Sequence, residues 1–174
     1  MFNGKKVIHI VCCGMNGEIG ANNSLLWNIP AELNYFKECT LGHVLLMGRN
    51  TYESLPKPLE RRITLEVTGK WNRKCGGCLS EEDILNANLN LALSHSNTLN
   101  TDCIFIAGGG QLYKATEKYV DEVWYTRVFN SYPEADTFYE QPKGMGIYDS
   151  SQIMQFLDKK SGEYVGVQFI KLSK

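Results

Sequence analysis

Glu32 follows Trp27 and Ile29 closely and sits one helical turn before Phe36. A carboxylate on an apolar, aromatic face is costly unless it has a partner. A basic heterocycle would serve as that partner; the plainer alternative is an ordinary exposed helical glutamate. Two other segments could hold an anion. Gly108-Gly109-Gly110 ends an apolar run and precedes Gln111 to Tyr119, which reads as a short helix. Glycines let backbone approach a phosphate, and the open N–H groups of a helix start point at it. Gly48-Arg49-Asn50-Thr51 repeats the pattern, now with a cation and a hydroxyl. On neighbouring strand ends, the two turns would hold the two ends of a dinucleotide diphosphate. Taken singly, the glycines also suit a tight turn, and Arg49 a solvated surface charge.

Other chemistry is excluded by motif. The third glycine of G-x-G-x-x-G is missing, because Tyr113 stands in its place, and no G-K-[ST] is present. There is no G-x-S-x-G, H-E-x-x-H or kinase signature. His9, His43 and His95 lack ligand spacing, so no metal is expected. Cys75-Gly-Gly-Cys78 has no second ligand pair downstream, and Cys12, Cys13, Cys39 and Cys103 complete a set of six read as free thiols.

The elements that must position these residues alternate. Val7 to Cys12, His43 to Met47, Arg62 to Thr68, Ile104 to Ala107 and Glu122 to Phe129 read as strands. Pro30 suits the first turn of a helix to about Cys39, with Glu32, Phe36 and Cys39 on one face and Leu33 beside Phe36. Gly48 to Glu53 and Gln111 to Tyr119 read as short helices, and Ser80 with Asp83 opens a longer one to about Leu93. Gly14 to Asn28 reads as a loop. Tyr148 to Phe156 and Tyr164 to Leu172 form a terminal hairpin joined at Lys159 to Gly162, adding antiparallel edge strands. The alternation predicts one α/β domain with a mainly parallel sheet.

The 174 residues are enough for one sizeable core. Eighteen basic against nineteen acidic residues leave a net charge of −1, so no global field draws nucleic acid or anionic lipid. No apolar run approaches the length of a membrane span, and the stretch after the N-terminus is too short for a secretory signal, so a cytoplasmic protein is expected.

Taken together, five ordered blocks resemble the dihydrofolate reductase family. They are Ile19-Gly20; Leu26-Trp27-Asn28-Ile29-Pro30-Ala31-Glu32-Leu33; Met47 to Leu55; Lys57-Pro58-Leu59 leading to Arg62; and Ile106 to Tyr113. The resemblance implies a single domain over residues 1–174. Its core would be a mainly parallel eight-stranded sheet with a C-terminal antiparallel hairpin and about four flanking helices. It implies that Glu32 binds the amino-pyrimidine edge of a pterin, that Thr126 links to that acid, and that Trp27 holds a water and shapes the pocket. Ile10, Leu33, Phe36, Leu55 and Leu59 would form the apolar wall. Arg62 would take the glutamyl α-carboxylate, a task suited to guanidinium geometry.

On the cofactor side, Arg49, Asn50, Thr51 and Thr68 would meet the NADPH phosphates and adenosine, with Gly48 beneath. Cys12, Ile19, Gly20, Ala107, Gln111 and Leu112 would complete the cofactor's surroundings. Gly108-Gly109-Gly110 would include a cis peptide between its first two members. Tyr113 would stand near the nicotinamide. The implied reaction is hydride transfer to carbon 6 of 7,8-dihydrofolate, with a proton to nitrogen 5, and closure of the loop Gly14 to Leu26 over the site.

The chain departs from the family pattern in places. Leu26 replaces the usual proline before Trp27, which loosens the loop. Arg61 replaces a glycine, and Gln111 and Gly69 stand where some members are basic, leaving phosphate binding to Arg49 with Lys70. A monomer acting on dihydrofolate, and open to antifolates, is the expectation. The alternatives are the related pyrimidine reductase of riboflavin synthesis and a non-catalytic protein that kept the fold.

Overall fold

The computed structural model describes residues 1–67 and 80–174. Thr68, Gly69, Lys70, Cys75 and Cys78 lie outside the described residues. The strands are β1 (Lys6–Cys13), β2 (Glu18–Gly20), β3 (Val44–Gly48), β4 (Ile63–Val67), β5 (Cys103–Ile106), β6 (Glu122–Val128), β7 (Thr137–Phe138), β8 (Gly146–Ser150), β9 (Met154–Leu157) and β10 (Tyr164–Ser173). The helices are α1 (Pro30–Thr40), α2 (Arg49–Glu53), α3 (Glu81–Leu99) and α4 (Gly110–Thr116), the last followed by a 3-10 turn at Glu117–Tyr119.

An eight-stranded sheet runs β4-β3-β5-β1-β6-β10-β8, with β9 also paired to β10. The pairs β3/β4, β3/β5, β1/β5 and β1/β6 are parallel, and β10 is antiparallel to β6, β8 and β9. The sheet is thus the expected α/β architecture. β10 is an inner strand, however, and only β8 and β9 lie at that edge.

Period-2 alternation sends the two faces of each central strand into different cores. Val7, Val44, Leu46, Ile104 and Ile106 pack with α3 residues Leu85, Leu89 and Ala92. Ile8, Ile10, Leu45, Met47 and Phe105 face the other way, against Phe36 and Cys39 of α1 and against Leu55. A side chain of this kind, fully buried, contributes about 1.5–3 kcal/mol.

Four elements differ from the sequence expectation. Tyr148 to Phe156 is not one strand, because Ser151 interrupts it. Its side-chain oxygen accepts from Phe169 N at 3.0 Å, and Gln168 Nε2 donates to its carbonyl at 3.0 Å. Side chains thus take over ladder hydrogen bonds at that point. α3 runs on to Leu99 through weak helix formers and stops only where Asn100 turns left-handed at φ 55°. The α-helix after the glycines begins at Gly110 and ends at Thr116. The Gly14–Asn28 segment contains β2, which pairs with β7, two short strands with no alternation long enough to read. No helix among the described residues is long and apolar enough to cross a membrane.

Candidate active site

The central parallel strands end together, and the two glycine turns, Cys12 and Thr126 lie at those ends, whereas Arg62 precedes β4 at the opposite ends of the strands. β3 and β5 are neighbours, with Leu46 opposite Ile106, so Gly48 and Gly108 emerge side by side. Gly48 N donates to Gly108 O at 2.7 Å, and Ala107 N to Leu46 O at 2.9 Å. The Gly108–Gly109 peptide is cis and Gly108 has φ 102°.

The turn has little room for side chains. A Cβ on Gly109 would stand 3.2 Å from Thr51 Oγ1, and one on Gly110 would stand 2.9 Å from Thr137 Cγ2. The two glycine turns are therefore one cradle of backbone, with Thr51 beside it and Ile19 nearby. Such a surface suits a phosphate or a planar ring brought against the main chain. Asn50 and Gln111 are exposed at the starts of α2 and α4, and Leu112 is buried behind. Arg49 is exposed, and its Nε donates to Glu53 at 2.9 Å.

Tyr113 is held within the cradle's wall. Its hydroxyl donates to Ile10 O at 2.6 Å, and a Cβ on Gly108 would meet that hydroxyl at 3.4 Å. Burial holds the Tyr113 phenol protonated, well above its ordinary range.

Glu32 lies in the first turn of α1, which begins at Pro30 without a side-chain cap. Its helix packs on the face of β1 that carries Ile8 and Ile10. Burial pushes the Glu32 carboxyl up to about 7, against the Cys12 thiol, which donates a hydrogen bond to it and pulls the other way. Cys12 faces Thr126 across the β1/β6 ladder, and Thr126 is 2% exposed. Among the described side-chain hydrogen bonds none joins Thr126 to Glu32; the nearer link is the thiol.

Trp27 is 3% exposed and packs with Leu26, Ile29 and Tyr132, its ring 5.2 Å from that of Tyr132. Its indole Nε1 is buried with no hydrogen-bond partner, as a donor aimed at a small polar guest would be. Leu26 is 4% exposed in the same cluster.

The apolar wall is uneven. Phe36, Leu55 and Leu59 are half-buried against the Ile10 face, whereas Leu33 is 47% exposed. Arg62 lies across Phe36, with its guanidinium 6.0 Å from the ring centre. Arg62 Nε donates to Glu60 O at 3.1 Å and Nη1 to Thr40 Oγ1 at 3.3 Å, leaving other N–H groups for an anion. Arg61, where the resemblance implies a glycine, is left-handed at φ 56°.

Sequence reading missed the residues that fasten the Gly14–Leu26 loop. Glu18 is 2% exposed; Oε2 accepts from Tyr132 N at 2.7 Å, and Oε1 from Asn16 N. Asp136 accepts from Asn22 N at 2.8 Å, and Asp158 from Asn28 N at 2.9 Å. At Gly14 a Cβ would stand 3.0 Å from Glu18 Oε2 and from Tyr132, so the first of these fastenings leaves no room for a side chain there.

The chain is similar to known proteins over most of its length. The family model described as dihydrofolate reductase matches residues 6–169. A dihydrofolate reductase of Neisseria gonorrhoeae is 33% identical over 166 residues, covering 95% of this chain and 98% of that one. One from Bacillus subtilis is 32% identical over 120 residues, 67% of this chain and 66% of that one. One from Mycoplasma genitalium is 38% identical over 117 residues, 67% and 72%. With its sheet, its paired glycine turns and this match, the chain belongs to the dihydrofolate reductase family.

Proposed function

We propose that this chain reduces 7,8-dihydrofolate to 5,6,7,8-tetrahydrofolate with NADPH. The observation that carries the reading is at the C-terminal ends of the central strands β3, β5 and β1. There a carboxyl raised to about 7 meets Cys12 near the end of β1, and the ends of β3 and β5 carry the cradle made by Gly48 and Gly108 to Gly110. A titratable group shifted by burial beside a concave backbone surface is the pairing expected of an active site.

The cradle fits a nicotinamide dinucleotide because bare backbone lets a phosphate or planar ring approach the main chain, and a Cβ at Gly110 would fall 2.9 Å from Thr137 Cγ2. Gly48, Thr51 and the Gly108–Gly110 turn would hold it, with Arg49, Asn50 and Gln111 at the rim. When bound, the nicotinamide supplies the hydride that reaches carbon 6 of the pterin.

The chain's own residues do the rest. Glu32 accepts hydrogen bonds from the amino-pyrimidine edge and fixes the ring's orientation. Its ionised form accepts those bonds and, as a nearby negative charge, favours a protonated pterin. Trp27 Nε1 donates to the water that delivers the proton to nitrogen 5. Phe36, Leu55 and Leu59 exclude solvent around the ring, and Arg62 meets the glutamyl carboxylate with a charged hydrogen bond. Tyr113 backs the nicotinamide. The enzyme acts as a monomer on small molecules in the cytoplasm, and antifolates that carry an amino-pyrimidine compete at Glu32.

NADPH consumption with 7,8-dihydrofolate, with NADH as a parallel arm, tests the reading. Turnover with NADPH supports it. No turnover with either cofactor, or reduction of an amino-uracil riboside in place of dihydrofolate, overturns it.

A further inference from the structure

His9 is 1% exposed in the middle of β1, and both of its ring nitrogens are bonded. Nδ1 lies 3.0 Å from Tyr139 Oη, and Nε2 lies 2.8 Å from Thr116 Oγ1. The Thr116 hydroxyl hydrogen is committed to Leu112 O at 2.7 Å, so its oxygen accepts from His9. Nε2 therefore carries the proton, Nδ1 carries the lone pair, and the Tyr139 hydroxyl donates to it. The chain is directional: Tyr139 to His9 to Thr116 to the carbonyl of Leu112. Burial holds His9 neutral, its pKa lowered to about 3.

Tyr139 reaches the loop through its backbone, and the rings of His9 and Tyr139 pack on Tyr113. Tyr139 N donates to Gly17 O at 2.8 Å, within the Gly14–Leu26 loop. The Tyr113 ring is 5.1 Å from the His9 ring and 5.0 Å edge-on from that of Tyr139, and its hydroxyl is bonded to Ile10, the residue after His9. An all-apolar core would fill the same space without fixing any of these directions.

We propose that His9 and Tyr139 are positioning residues that tie the Gly17 loop to the Tyr113 ring, so that loop order and the placement of Tyr113 are set together. The inference rests on the reading that Tyr113 backs the nicotinamide.

Tyr139→Phe, His9→Leu and the double variant test it. Each single change strands one buried polar group, so both melt below the unmodified protein. The double change removes the Tyr139–His9 donor and acceptor together and leaves the Thr116 hydroxyl bonded to Leu112 O, so its melting temperature returns towards the original. Hydrogen exchange of the ligand-free protein, read over residues 14–26, supplies a measure that regained stability does not restore. Exchange there is expected to be severalfold faster in the double variant, while β5 peptides keep their protection.

Single-turnover hydride transfer is expected to be about tenfold slower, with KM for dihydrofolate nearly unchanged, as displacement of an aligning group produces. A double variant that regains stability, loop protection and hydride-transfer rate together overturns the proposal and leaves His9 as a satisfied core histidine. If the double variant does not fold, Tyr139→Phe decides on the same two measures. Failure of the functional reading shows separately, as absence of NADPH consumption by the unmodified chain, and overturns the proposal with it.

Discussion

Gly48 donates its amide hydrogen to the carbonyl of Gly108 across 2.7 Å, and this bond joins two turns from different βα units into one surface. The bond exists because β3 and β5 are parallel neighbours whose last paired residues are Leu46 and Ile106. Both turns must stay free of side chains for the surface to remain open.

Gly108→Ala tests that requirement. At φ 102° an alanine is strained, with its Cβ in contact with the Tyr113 ring at 3.4 Å. A backbone strain of this kind costs about 1–3 kcal/mol. The expected variant melts at a lower temperature and binds NADPH more weakly, while a folate analogue bound alone is less affected. Calorimetry and fluorescence titration read the two effects; unchanged melting would show that the turn relaxes.

Glu32→Gln is expected to fold and to lose most turnover near neutral pH, with partial recovery in acid, where the pterin arrives protonated. Stability should move the other way. The Glu32 carboxyl rises from an ordinary 4.5 to about 7 through burial, so the folded protein holds the proton more tightly than the unfolded chain. The ionised group therefore costs stability above pH 7, the cost fades between pH 7 and 4.5, and it is absent below. Solvent reaches this half-buried side chain, so the gain in the glutamine variant is on the order of 1 kcal/mol at pH 8. Denaturant melts at pH 8 and pH 4 measure it, and equal gains at both values contradict the assignment.

Burial raises the thiols of Cys12, Cys13, Cys39 and Cys103, and all four are free. Little thiolate is present at pH 8, so native alkylation at these sites should be slow. Six thiols are expected on unfolding. Fewer than six in denaturant, or rapid native labelling of Cys12, would show a different state.

What could be read from the sequence follows from the range of each interaction. The helix at Pro30 and the placement of Glu32 depend on residues a turn apart, and β1, β3 and β5 announce themselves by short apolar runs. The cradle was legible because each half is a local glycine turn. The loop's fastenings were not: Glu18 meets Tyr132 from 114 residues away, and Asp158 meets Asn28 from 130. His9 finds Tyr139 across 130 residues, so its directionality could not be read from its neighbours. The strand break at Ser151 likewise depends on Phe169 and Gln168, on another strand.

Arg61 and Arg62 are adjacent but differ in conformation and setting. Arg61 holds φ 56°, its carbonyl accepts from Gly42 N at 2.8 Å, and its side chain is exposed. The left-handed conformation costs an ordinary residue about 1–2 kcal/mol, and glycine gives part of that back through its freer unfolded chain. Arg61→Gly should therefore stabilise the protein by up to about 1 kcal/mol without altering folate binding. Arg62 is half-buried against Phe36 and fixed by Thr40 and Glu60, so its guanidinium is preorganised. A charged hydrogen bond contributes about 1.5–3 kcal/mol. Arg62→Leu should thus raise the Kd for dihydrofolate roughly ten- to a hundredfold. A pterin without the glutamate, and NADPH, should bind nearly as before. Arg61→Leu keeps the strained backbone and should cost under about 1 kcal/mol in binding, as exposed charges do. Titrations of the three variants followed by Trp27 fluorescence decide the matter, and a larger loss at Arg61 than at Arg62 would move the carboxylate site to the exposed side of the turn.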